Sequence, residues 1–203
     1  MARELLDSPL MFNTRRGLWG YTGRAPDGDP VTVQSTGMGG PSAAIVVEEL
    51  NELGARTLVR IGTCGSLVEE LRTGELVPVG SVLAEDGASR ALGAGPAVSP
   101  EPELAEAVAA AAAREPATIV SSDLFYDPRR QGKEDSWRDA GAVAVEMEAA
   151  AVLRVAELRG VPAACLLGVT DELARGRKRI GDDELEALGV RLGEVALAAL
   201  RTR

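Results

Sequence analysis

At 203 residues the chain is long enough to bury one substantial core and short enough to form a single domain, residues 1–203. A formal charge of −9 argues against a nucleic-acid groove, which needs a basic face, but a few converging arginines can still hold a small anion in an acidic protein. The sequence contains no histidine, which excludes Ser–His triads, Cys–His dyads and the common His-bearing zinc sites, so acid–base work falls to carboxylates, Lys, Tyr or Cys.

Aromatic residues are only 3% of the chain, so the core is expected to be built from Val, Leu, Ile and Ala. Residues 31–36 (VTVQST) read as a strand closed by Gly37. Pro41 suits a first helical turn, and Val46, Leu50 and Leu53 mark one helix face before Gly54. Residues 57–62 (TLVRIG) are the next strand, ending in a small-residue turn at 63–66, and residues 76–84 are another. The Gly/Ala/Pro stretch at 87–98 reads as a long loop, residues 101–114 as an Ala-rich helix and 117–122 as a strand. Residues 142–146 (AVAVE) run into a helix with Met147, Ala151, Val155 and Leu158 on one face, ended by Gly160. Residues 163–170 form a buried strand, 175–179 a mobile basic loop, and the last helix carries Leu185, Leu188, Leu192, Val195 and Ala199. The alternation predicts an α/β domain. Cys64 and Cys165 are isolated thiols, no run approaches the roughly 18 apolar residues of a membrane span, and the N-terminus lacks a signal-peptide apolar region, so a cytoplasmic location is expected.

Four segments place polar or Gly-rich elements directly after a buried strand, where α/β folds bind ligands. Ser35 to Ser42 brings three consecutive-turn glycines around Met38, either a tight turn or a close backbone approach to a ligand. Arg60, inside an apolar strand, needs a partner, either a structural carboxylate or an anion that it shares with Thr63. Glu146 and Glu148 flank Met147, as helix-terminus acids or as acceptors for a sugar diol. Asp171 ends the strand from Ala163, as a turn residue or as an acid.

Taken in order, STGMGGPSAA, VRIGTCGSL, SSDLFYD, VEMEAAAV and GVTDEL, with RRGLWGYTG near the N-terminus, resemble the signature blocks of the nucleoside phosphorylase-I family. The resemblance runs from about residue 10 to the C-terminus, at close to the family's spacing. It implies a three-layer α/β/α sandwich around a mixed, partly barrel-like central sheet. It also implies reversible phosphorolysis of a nucleoside, with inorganic phosphate as co-substrate, no cofactor and no metal. By position, Arg60 and Thr63 resemble phosphate ligands, and Arg16 the phosphate-binding Arg supplied by a neighbouring subunit. Met147 resembles the residue packed on the ribose, Glu148 the one gripping its hydroxyls, and Phe125 the aromatic stacked on the base. Cys64 and Gly65 resemble base-pocket residues, with Met38, Tyr126 and Glu146 also at the substrate, and Asp171 resembles the acid that protonates a purine. A homodimer or homohexamer with shared active sites is implied, and neither nucleic acid nor membrane is expected as a partner.

Asp171 points to purines, because uridine phosphorylases carry an apolar residue there and an inserted base-reading segment after the aromatic block. Nucleosidases of the family use water and lack the phosphate arginines, so Arg16 and Arg60 favour phosphorolysis. A uridine phosphorylase, a nucleosidase and a non-catalytic nucleoside-binding relative stand as alternatives. Two departures accompany the resemblance. The family's first strand and its Pro-Gly-Asp-Pro-x-Arg phosphate loop are expected to be absent, since residues 2–6 resemble the helix after them. The neighbour's His for the ribose 5′-hydroxyl has no counterpart, and the family's helper Arg aligns near Glu184, leaving Arg175, Arg177 or Arg179 as substitutes.

Overall fold

A computed structural model describes residues 1–176 and 178–201. A short helix α1 (Ala2–Leu5) leads into an antiparallel meander of β1 (Asp7–Asn13), β2 (Gly20–Arg24) and β3 (Pro30–Gln34), a separate three-stranded sheet. Helix α2 (Gly40–Glu52) starts with Pro41 in its first turn, where a missing N–H costs nothing. Then follow β4 (Leu58–Ser66), β5 (Leu76–Glu85), α3 (Gly87–Ala91), β6 (Ala97–Val98) and α4 (Pro102–Ala112), the last capped by the Glu101 carboxylate. The chain continues through β7 (Ala117–Ser122), α5 (Arg130–Asp139), β8 (Ala142–Glu146), α6 (Ala149–Arg159), β9 (Ala163–Glu172), β10 (Lys178–Arg179) and α7 (Asp182–Leu200).

The second sheet runs β10-β9-β4-β8-β7-β5-β6, and β5 also pairs with β9. That extra pairing closes β9, β4, β8, β7 and β5 into a ring, so the sheet is partly a barrel. Strand β5 bridges the seam by dividing its length: Leu76–Pro78 pair antiparallel with β9, and Val79–Glu85 pair parallel with β7, with an irregularity between Val79 and Ser81. Strand β9 shows how the layers form. Ala163, Cys165, Leu167 and Val169 join the core under α6, while Ala164 and Leu166 face α4 and α7. A strand buried on both faces reads as a continuous apolar run rather than an alternation. Leu104, Leu166 and Leu167 are fully buried, each contributing about 1.5–3 kcal/mol of hydrophobic stabilisation. Helices on both faces of a mixed sheet give the expected α/β/α architecture.

Several boundaries differ from the sequence reading. Strand β4 runs through Thr63-Cys64-Gly65-Ser66 rather than turning there, because β9 offers ladder partners as far as Glu172. For the same reason Asp171 lies within β9, opposite Gly65 and Arg179, not beyond a strand tip. The expected loop 87–98 contains α3 and β6, and α5 fills a segment without apolar periodicity. Met147 precedes α6 and is not on its face. Within 175–179, the single-turn helix Leu173–Arg175 and strand β10 replace the expected mobile loop; Arg177 lies outside the described residues.

One feature of the fold positions the site. Among the described residues, no strand pairs with β3 on the side away from β2, or with residues 58–64 of β4 on the side away from β9. A cleft of about 1530 Å³ runs along these two bare edges and opens at the ends of β4, β7, β8 and β9.

Candidate active site

The innermost part of the cleft is built around Arg60, whose guanidinium projects from β4 and is almost wholly buried. Its Nη2 donates to Glu146 Oε2 at 2.7 Å and to Glu148 Oε2 at 2.6 Å. The guanidinium folds back over Gly62: a Cβ there would lie 2.9 Å from Nη2, so only glycine leaves the room. Burial works against the charge of Arg60, but Glu146 and then Glu148 outweigh it and hold its pKa above the ordinary arginine value. Nε is buried with no acceptor among the described residues.

Glu146 ends β8 with its carboxylate saturated. Besides Arg60, it accepts from the Ser121 hydroxyl, from Glu148 N at 2.9 Å and from Ala149 N at 2.8 and 3.0 Å. Ser121 in turn accepts from Ala150 N at 2.9 Å. Glu148 stands at the N-cap of α6 and reaches across the cleft to accept from Gly39 N as well as from Arg60. Burial pushes its carboxyl above the usual range, Glu146 adds to that, and Arg60 with the Gly39 N–H opposes it. The Gly37–Gly39 turn that brings this N–H forward has φ of +74° and +87°, conformations that favour glycine, and Met38 between them is exposed.

The outer part of the cleft is looser. Asp171 accepts from Thr170 Oγ1 at 2.9 Å and pairs with Arg179 Nε at 3.2 Å. Arg179 stands opposite it on β10, while Arg175 lies 3.6 Å from Glu69. Phe125 and Tyr126 meet edge-to-face at 4.9 Å and are both exposed on the cleft wall.

The structure therefore brings Met38, Arg60, Thr63, Cys64, Gly65, Phe125, Tyr126, Glu146, Met147, Glu148 and Asp171 to one cleft. It does not bring Arg16 there. That residue sits exposed in the β1–β2 connection with φ of +56°, and it is absent from the lining. The Cys64 thiol is turned into the core, where burial raises its pKa, and only Thr63 beside it is exposed. Ser121 went unnoticed in the sequence although it opens the SSDLFYD block; its role rests on a partner 25 residues away. Among the described residues no group of three or more His, Cys, Asp or Glu side chains is arranged for a metal ion, and no helix is long and apolar enough to cross a membrane.

The chain is similar to known proteins over nearly its whole length. A sequence profile of the phosphorylase superfamily matches residues 3–201. The chain is 37% identical over 186 residues to a guanosine phosphorylase of Halorubrum lacusprofundi, an alignment covering 89% of this chain and 76% of that protein. It is 29% identical over 207 residues to a DeoD-type purine nucleoside phosphorylase of Geobacillus kaustophilus, covering 98% and 86% of the two chains. A DeoD-type purine nucleoside phosphorylase of Clostridium perfringens is 30% identical over 210 residues, covering 100% of this chain and 88% of its own. A match over nearly the full length, with the signature blocks gathered at one cleft, shows that the chain belongs to the phosphorylase superfamily, in the nucleoside phosphorylase-I family that its sequence blocks resemble.

Proposed function

We propose that the protein is a pentosyltransferase that cleaves purine nucleosides with inorganic phosphate, giving the free base and ribose 1-phosphate. The observation that carries this reading is the pairing of a buried Arg60–Glu148 couple with Asp171 across one cleft, because glycosidic cleavage needs both ends. Positive charge develops on the ribose and negative charge on the departing base. A phosphate oxygen attacks C1′ as the bond from C1′ to the base nitrogen breaks, and the bonding pair leaves with the base. Arg60 and Thr63 hold the phosphate, and Glu148 accepts from the ribose hydroxyls while Met147 packs on the sugar. Phe125 and Tyr126 flank the base, with Met38 and the Cys64–Gly65 backbone bordering its pocket. Asp171 gives its proton to the purine, and Arg179 then stabilises the carboxylate left behind. Arg179, rather than Arg175, is thus the cation assigned to assist the acid.

The purine reading is supported by the similarity to a guanosine phosphorylase and to purine nucleoside phosphorylases, and by Asp171 itself. Arg16 is assigned to the phosphate of a neighbouring subunit in a dimer or hexamer, consistent with its exposure and with exposed Phe12 and Trp19 beside it. Light scattering that finds only monomers in an active preparation removes that assignment. Substrate class is tested by assaying inosine, guanosine, adenosine and uridine with and without phosphate. Phosphate-dependent release from the purine nucleosides is expected; uridine as the best substrate would overturn the purine assignment.

A further inference from the structure

Each carboxylate oxygen of Glu146 accepts at least two hydrogen bonds from the protein. Its side chain is 1% exposed, and four donors converge on it: the Arg60 guanidinium, the Ser121 hydroxyl and the backbone N–H groups of Glu148 and Ala149. No lone pair remains for a sugar hydroxyl without breaking one of these bonds. The same carboxylate also joins two elements that are distant in sequence. Arg60 comes from the middle of β4, and the two N–H groups belong to the start of α6, where an anion is favoured by the helix dipole. Glu148 is held at both ends of this arrangement, through its own N–H to Glu146 and through its carboxylate to Arg60.

We propose that Glu146 is a positioning residue for the phosphate end of the site: it touches no substrate, and its carboxylate locks Arg60 and the N-terminus of α6 into one unit. The proposal rests on the phosphorolysis reading and corrects the placement of Glu146 among substrate contacts. With Glu146 charged, Arg60 keeps its orientation when Glu148 turns from it to the ribose hydroxyls. Without that charge, Arg60 has Glu148 as its only carboxylate partner and moves with it.

Glu146→Gln preserves the shape of the side chain and removes its charge. In steady-state phosphorolysis by the full chain, the KM for phosphate is expected to rise about tenfold or more while the nucleoside KM stays within about threefold. A rise confined to the nucleoside KM would make Glu146 a sugar ligand. Unchanged constants with only a lower melting temperature would leave it a helix cap. Either result overturns the proposal. Thermal unfolding of Glu146→Gln, Arg60→Gln and the double variant tests the same link without turnover. The double variant is expected to lose less than the sum of the two single losses, because each single substitution already breaks the Arg60–Glu146 pair. Should Glu146→Gln fail to fold, Ser121→Ala, which removes one donor to the same carboxylate, takes its place in the kinetics and in the cycle with Arg60→Gln. Additive losses contradict the grip on Arg60. Because this cycle needs neither phosphate nor nucleoside, it decides the role of Glu146 even if no base is released, a result that counts against the phosphorolysis reading instead.

Discussion

The two ends of the cleft are built differently. At the inner end, proposed to take the phosphate and sugar, Arg60, Glu146 and Glu148 are buried and multiply bonded, on β4, at the end of β8 and at the start of α6. At the outer end, proposed to take the base, Asp171 has one ion pair to an Arg on a two-residue strand, and Phe125 and Tyr126 stand half or more exposed. A buried ion cluster is costly to disturb, because any partner left behind stays charged in a low-dielectric site. An exposed pair contributes little to folding. On the proposed reading, the difference separates groups that hold the fold and serve chemistry together from groups that serve chemistry alone.

Arg60→Ala tests the buried end most severely. It leaves two carboxylates facing each other without a cation, so stability is expected to fall by about 3–5 kcal/mol. Turnover at limiting phosphate is expected to fall by about 10²–10³, the scale of losing one donor to a developing charge. Chemical denaturation and steady-state kinetics measure the two losses; a variant with unchanged stability would place Arg60 outside the buried cluster described above.

Asp171→Asn tests the exposed end. Purine release is expected to slow by about 10²–10⁴ with phosphate KM little changed. Stability is expected to move by no more than about 0.5 kcal/mol, as for a surface substitution. Full activity would return Asp171 to the role of a structural strand residue.

The smallest effect is the pH dependence of Glu148, the junction between the two ends. Its carboxyl is held above the ordinary range mainly by burial. Since the ribose diol needs an ionised acceptor, the acid limb of kcat/KM is expected to lie above the ordinary carboxylate range. The sign for folding is opposite to that of an acid whose pKa is lowered on folding. Protonation is favoured in the folded state, so this group's contribution to stability is present below its ordinary pKa and lost as pH rises through the raised folded value. A profile flat down to pH values near those of free carboxylates would show that Glu148 is not the group titrating.

What the sequence made legible follows the same division. The strands around β4 and β9, the helices α2, α4, α6 and α7, and the cleft residues all sit on apolar periodicity or on ordered signature blocks. The continuation of β4 past Gly62 did not show, because Thr63-Cys64-Gly65 looks like a turn until β9 is laid beside it. Helices α3 and α5 carry little apolar pattern, and of the meander only β3 is legible, as residues 31–36, since β1 is mostly exposed and β2 offers no clean alternation. The double engagement of Arg60 was one of two readings of a charged residue in an apolar strand. Only the fold shows that its carboxylate partners are Glu146 and Glu148, 86 and 88 residues away. Likewise the choice of Arg179 as the partner of Asp171 depends on the short β9–β10 ladder, which no local pattern announces.

The central claim, that phosphate rather than water attacks the nucleoside, is tested most directly by following the phosphorus during turnover. With inosine or guanosine and inorganic phosphate, ³¹P NMR is expected to show a sugar phosphate ester growing in step with free base, and no base release when phosphate is omitted. Base released at the same rate without phosphate, with free ribose as the only sugar product, would contradict it.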